Sequence, residues 1–216
     1  MTHSIAGIDE AGRGSVLGPL VVCLAHCKRT DEKKLNRICK KDSKQLSAKQ
    51  RSEVLAEITS FVMFKVHEIS AEHITSLMEK HSLNDIEAKV MAELGKSLKE
   101  SDIMIDLMDC YEWTFRKRME KFGLKRFEAQ HKADENYPIV AAASIKAKLT
   151  RDALIEKIKA ETGVDFGSGY PSDPKTRKVL LNKEQLKKID KFVRKRWKTL
   201  ENVKQKKLFD EPECRV

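Results

Sequence analysis

The chain has 216 residues, 40% of them hydrophobic and 35% charged, a balance that excludes intrinsic disorder and fits one domain with its own core. No run of about 18 apolar residues occurs, which excludes a spanning helix, and the first ten residues, "MTHSIAGIDE", lack the charged-then-apolar pattern of a signal peptide. The net charge of +10 favours a polyanionic partner. Five cysteines, an odd number with no C-x-x-C pair, read as reduced thiols of a cytoplasmic protein rather than a disulfide framework or zinc site.

In chain order, "SIAGID" and "PLVVCLAHC" are predicted strands joined through a glycine segment, and "FVMFKVHEI" is a third. Between the last two, "SAKQRSEVLAEITSF" has a helical period with Ser47 as its cap. "LNDIEAKVMAELGKSL" carries an apolar stripe at Leu83, Ile86, Val90, Leu94 and Leu98, a helix signature. "IMIDLM" is predicted as a short strand and "RFEAQ" as another. "YPIVAAASIKAKLTRDALIEKIKA" is a long helix with Pro138 in its first turn, where proline is tolerated. The loop "TGVDFGSGYPSD" precedes helices that run to the end. Strands and helices alternate, and the early strands are close enough to pair as hairpins, so a mixed α/β sheet is expected.

Four acids stand out. Asp9 and Glu10 follow the first strand in "GIDEAGRGSVLGP". Neighbours on a regular strand face opposite ways, so the two can share a site only where the backbone turns, which the following glycines permit. Asp106 sits in an otherwise apolar strand, and Asp134 just before the long helix. A buried carboxylate needs a partner, and a hard divalent cation is one such partner. Taken singly, each acid also reads as a surface group or cap, and Asp134 as an ordinary helix N-cap. Between Lys183 and Lys207, eleven basic residues face three acids. This stretch is either a solvated helix face or a surface that neutralises phosphates.

The segments "GIDEAGRGSVLGPLVV", "KDSKQLS", "IMIDLMD", "HKADENYPIVAAASIKAKLTRD" and "GSGYPSDPKT" resemble, in this order, the motifs of type 2 ribonuclease H, ribonuclease HII. "VRKRWKTL" is similar to its archaeal and eukaryotic branch. The resemblance implies a ribonuclease H-like α/β fold, with a mixed central sheet flanked by helices. It implies a catalytic domain over 1–182 and a basic helical extension over 183–216 packed on it. It makes Asp9, Glu10, Asp106 and Asp134 the catalytic and metal-binding carboxylates, holding two Mg²⁺ or Mn²⁺ ions for an in-line displacement at phosphorus. It assigns substrate binding to Gly12, Arg13, Gly14, Lys44, Ser144, Lys148 and Tyr170. Of these, Gly12 to Gly14 would read the 2′-hydroxyl that marks RNA, Arg13 could also reach a phosphate, and Tyr170 would stack on the following sugar.

The implied reaction is hydrolysis 5′ of ribonucleotides embedded in duplex DNA, and of RNA in RNA–DNA hybrids, leaving 3′-hydroxyl and 5′-phosphate ends. Such a monomeric enzyme would serve DNA replication and repair. One alternative is a structure-specific DNA nuclease, which would ignore the 2′-hydroxyl; a second is a non-catalytic nucleic-acid-binding module, against which the four carboxylates argue. Serine replaces the family's usual proline at Ser15, which implies a less stiff glycine loop, and Lys146 replaces an apolar residue. The tail "QKKLFDE" only loosely resembles a sliding-clamp peptide, because its aromatic pair is missing.

Overall fold

A computed structural model describes residues 3–39, 46–98, 101–198 and 200. In chain order the elements are β1 (Ser4–Ala11), β2 (Leu20–Lys28), α1 (Glu32–Ile38), α2 (Ala48–Ile58), β3 (Met63–Ile69), α3 (Ala71–Leu77), α4 (Leu83–Lys96), β4 (Ser101–Asp106), α5 (Glu112–Lys121), β5 (Glu128–Gln130), α6 (Ala133–Asn136), α7 (Pro138–Thr162), α8 (Pro174–Leu181) and α9 (Lys183–Lys188). The strands form one mixed sheet in the order β3-β2-β1-β4-β5. β1, β2 and β3 pair antiparallel, while β4 joins β1 and β5 joins β4 in parallel.

The period of two sorts β1 onto two cores. Ala6 and Ile8 pack with Ile103, Ile105, Met91 and Phe115 on the face covered by α4 and α5. Ile5 and Ala11 pack with Met104, Cys23 and the alanine-rich start of α7 on the other face. Each fully buried large aliphatic side chain contributes about 1.5–3 kcal/mol. A third cluster joins Ile155 and Ile158 of α7 to Val16, Leu17, Phe166, Ile189 and Val193. Ile189 and Val193, which follow α8, are therefore packed against Val16 and Leu17, with a bridge between Leu17 and Val193.

The helix ends follow local chemistry. Ser47 and Gln50 close a capping box at the start of α2, and Pro138 opens α7, which ends on Gly163 with φ 66°. Small residues let α7 lie directly on the sheet. A Cβ at Gly7 would stand 2.5 Å from backbone atoms of Ile139 and Val140. Gly7→Ala should therefore cost about 3 kcal/mol through overpacking and lower the melting temperature by roughly 10 °C. A drop under about 2 °C in a thermal melt would show that α7 can shift aside.

Two sequence expectations change. The acids do not follow β1: the strand runs through Ala11, with Asp9 opposite Cys23 and Glu10 opposite Val22. The turn comes afterwards, at Gly12 with φ +90°. Asp106 is not inside its strand but is the last residue of β4.

Candidate active site

The register explains how distant acids meet. The parallel pairing of β1 and β4 ends at Ile8 opposite Ile105. Asp9 and Asp106 are the next residues on each strand, so they project on the same face, the one covered by α7. There Asp9 is buried. Its Oδ1 accepts from the Glu10 amide at 2.7 Å, and it accepts from the Ser144 hydroxyl on α7. Withdrawal from water and the neighbouring Asp106 charge push its carboxyl up to about 7, with Ser144, the Glu10 amide and Lys148 pulling the other way.

Glu10 takes the next position on β1. Burial and the Asp9 charge push its carboxyl up to about 8, and its Oε2 is buried without a hydrogen-bond partner among the described residues. Asp106 Oδ1 accepts from the Ala133 amide at 2.8 Å, which docks the short helix α6 on the end of β4. Asp134 rides on that helix, buried, inside the element rather than capping α7. Its Oδ2 is 4.0 Å from Lys148 Nζ. Ser144 and Lys148, one turn apart on α7, thus bracket Asp9 and Asp134.

These oxygens are hard donors. The partnerless Glu10 oxygen and the elevated Asp9 and Glu10 pKa values are what a hard divalent cation would relieve. As the side chains lie, no three His, Cys, Asp or Glu among the described residues are grouped closely enough to hold an ion, so the donors must turn inward to bind one. A pH signature follows. Both folded-state values lie above the ordinary carboxylate range near 4, so the metal-free protein keeps protons that its unfolded chain has lost. Stability in chelator should fall as pH rises from about 4 through about 8. Asp9→Asn should escape part of that loss, melting at least about 3 °C above wild type at pH 8 but not at pH 4. A gap that is the same at both pH values would show that the Asp9 carboxyl is not perturbed.

The glycine segment Gly12–Gly14 runs beside this cluster. Ser15 compensates for the absent proline: its Oγ donates to the Gly12 carbonyl at 3.0 Å. A Cβ on Gly14 would lie 3.9 Å from Tyr170 Cε1, so Gly14 and Tyr170 form facing walls. Arg13 points toward α4. Its guanidinium pairs with the buried Glu87 of α4, and its Nη2 donates to Asn84 Oδ1 at 2.7 Å. Lys44 lies outside the described residues.

Two buried arginines were not singled out from sequence. Arg151 places its guanidinium 4.8 Å from the centre of the Tyr170 ring and donates to the Ser168 carbonyl at 2.8 Å. Its side chain fills the space that a Cβ at Gly12 would need. Arg194 donates to the carbonyls of Arg13 and Gly18 at 3.0 and 3.1 Å, tying the glycine segment to the residues that lead into β2. Arg151 carries a sequence signal, since Ser144, Lys148 and Arg151 fall on one helical stripe.

Comparison with known proteins bears on the family and the fold. The profile of a family described as Ribonuclease HII matches residues 6–200. Ribonuclease HII of Archaeoglobus fulgidus is 43% identical over 205 residues, covering 95% of this chain and 98% of that one. The structure of the PCNA:RNase HII complex from the same organism superposes with a TM-score of 0.81 at 42% identity, covering 91% and 95% of the two chains. Ribonuclease H2 of Pyrococcus horikoshii OT3 gives a TM-score of 0.81 at 36% identity over 94% and 98%. With its mixed sheet, its flanking helices and this degree of likeness along nearly its whole length, the chain belongs to the ribonuclease HII family.

Proposed function

We propose that this endoribonuclease is a divalent-metal-dependent enzyme that cuts RNA in RNA–DNA hybrids and incises 5′ of ribonucleotides embedded in duplex DNA, leaving 3′-hydroxyl and 5′-phosphate ends. The observation that carries the reading is the adjacency of Asp9 and Asp106 at the ends of two parallel strands, beside a glycine segment that faces Tyr170. Asp9, Glu10, Asp106 and Asp134 would hold Mg²⁺ or Mn²⁺. When bound, these ions would supply Lewis-acid activation of water and charge stabilisation at the phosphate. Ser144 fixes the Asp9 rotamer, and Lys148 offsets negative charge between Asp9 and Asp134. The backbone of Gly12, Arg13 and Gly14 approaches the ribose closely, and Tyr170, backed by Arg151, packs on the sugar that follows. Removal of misincorporated ribonucleotides and primers in replication and repair is the matching role.

The chain is read as a monomer, and the free thiols Cys23, Cys27, Cys39 and Cys110 fit a cytoplasmic location. A contact with a sliding clamp is supported by the complex of the Archaeoglobus relative; the segment Gln205–Glu211 proposed for it lies outside the described residues. The deciding assay uses three labelled duplexes: all DNA, DNA with one ribonucleotide, and a hybrid, each with Mg²⁺ or Mn²⁺ and with chelator. Cutting of the all-DNA duplex, or cutting in chelator, would overturn the reading.

Phosphate contacts should come from the basic end of the chain, but not from all of it. Lys191 and Lys195 each pair with an acid at 2.6 Å, and Arg194 is buried. Lys183, Lys187 and Lys188 on α9 are exposed. Changing these three to alanine should raise KM and reduce the slope of log KM against log salt by about 2, with kcat nearly unchanged. An unaltered slope would place α9 away from the nucleic acid.

A further inference from the structure

Two of the most exposed large apolar side chains stand together just past the proposed active site. Tyr111 is 64% and Trp113 59% exposed, and their rings stack with centroids 6.4 Å apart and planes 23° apart. Exposing that much aromatic surface is costly, and every other described Phe, Tyr or Trp ring of the chain is at least partly buried. The pair is also held in place. Asp109, two residues before Tyr111, is buried, accepts from Asn84 and accepts from Arg118 Nε at 3.0 Å. Asn84 in turn holds Arg13, and Arg13 Nη1 reaches Met108 Sδ at 3.3 Å. One set of contacts therefore fixes both the glycine segment and the start of α5, where Tyr111 is the N-cap and Trp113 lies in the first turn.

The surroundings are cationic. Lys117 Nζ sits 5.0 Å from the Trp113 ring centre, and residues 111–126 contain six Lys/Arg against two acids. Flat exposed rings among cations match a polyanion whose bases can be reached face-on. In a duplex the bases are covered by their neighbours, so the faces of unpaired nucleotides are what remain available. We infer that Tyr111 and Trp113 form a stacking platform for a single-stranded stretch flanking the duplex substrate, with Lys117, Lys121 and Lys125 meeting its phosphates. This rests on the nucleic-acid reading proposed above, and it adds a binding site that none of the four carboxylates or the glycine segment provides.

The test measures affinity in chelator, so that binding is read without cleavage. A blunt RNA–DNA hybrid is compared with the same hybrid bearing an unpaired extension of about ten nucleotides, a usual span for single-strand grooves, on the 5′ end in one probe and the 3′ end in another. Wild type should bind one extended probe about 10-fold more tightly than the blunt one. The Tyr111→Ser/Trp113→Ser double variant should lose that advantage, while Trp113→Phe keeps most of it because a ring is retained. The ratio of extended to blunt affinity is the readout, so a variant that is partly unfolded does not mimic the result. Trp113 fluorescence in a Trp197→Phe background should be quenched by the extended probe more than by the blunt one. The inference is overturned if neither extension tightens wild-type binding, or if the double-serine variant keeps the full advantage. It is also overturned if the only effect of that variant is to abolish concentration-dependent self-association in sedimentation, which would make the rings a contact between copies. Failure of wild type to cut the blunt hybrid in Mg²⁺ would instead sink the proposed function, and the two failures are separately visible.

Discussion

Asp134→Asn should lower turnover on an RNA–DNA hybrid by at least about 100-fold in Mg²⁺, on the scale of losing one preorganised electrostatic group. The substitution preserves shape and removes a single charge. Asp134 is buried on α6, which is tethered to the end of β4 through the Ala133 amide and Asp106. The helix should therefore stay in place, and Lys148, 4.0 Å away, would keep an amide oxygen as its neighbour. What disappears is one of the charges proposed to hold dications against a phosphate. Hybrid affinity in chelator should hold or improve, because a negative charge beside the phosphate path is gone. Single-turnover rates with saturating enzyme, measured beside filter binding, separate the two quantities. Near-normal turnover would reduce Asp134 to a partner for Lys148, and the metal site would then have to be built from Asp9, Glu10 and Asp106.

The local grammar of this chain was legible and its long-range pairings were not. The capping box at Ser47, the stripe of α4 and the proline start of α7 are written in contiguous residues, and the structure carries all three. The seven-residue helices α1 and α3 offer too few turns to show a period, and α5 buries only Phe115 and Met119. The acids were visible as residue types, but their meeting depends on a parallel register between β1 and β4, strands almost a hundred residues apart. Without that register, the strand rule demanded a turn at Glu10. With it, Asp9 needs only its counterpart on the neighbouring strand. Arg13 illustrates the same limit: its pairing with Glu87, a buried acid on a distant helix, is not written in its own motif. Burial of Arg194 was equally invisible, since in sequence it is one cation within a basic run.

Tyr170→Ala should lower kcat/KM on a duplex with one embedded ribonucleotide by about 100-fold or more, and lower it clearly less on a continuous hybrid. The ring lies over the Arg151 guanidinium, 4.8 Å from its centre, and faces Gly14 across a gap that a side chain at that position would narrow. Both supports are rigid, because Arg151 is itself buried and bonded to the Ser168 carbonyl. Such a ring can bear on a sugar and set the height of the adjacent phosphate above the carboxylates. Stacking contributes about 1–3 kcal/mol per contact, and small misplacement of a reacting phosphate adds a loss of about 100-fold in rate. At an embedded ribonucleotide the following sugar is a deoxyribose, which on the proposed reading would pack flat on the ring. Within continuous RNA that sugar carries its own 2′-hydroxyl, so wild type would already forgo part of the contact. Tyr170→Phe keeps the stack and loses one hydroxyl, so it should cost roughly tenfold or less, the scale of a single hydrogen bond. Comparing the ratio of efficiencies on the two substrates for wild type and both variants isolates the junction contact from general damage. Equal losses on both substrates would make Tyr170 a loop anchor resting on Arg151, and discrimination of the ribonucleotide would then fall to the backbone of Gly12, Arg13 and Gly14.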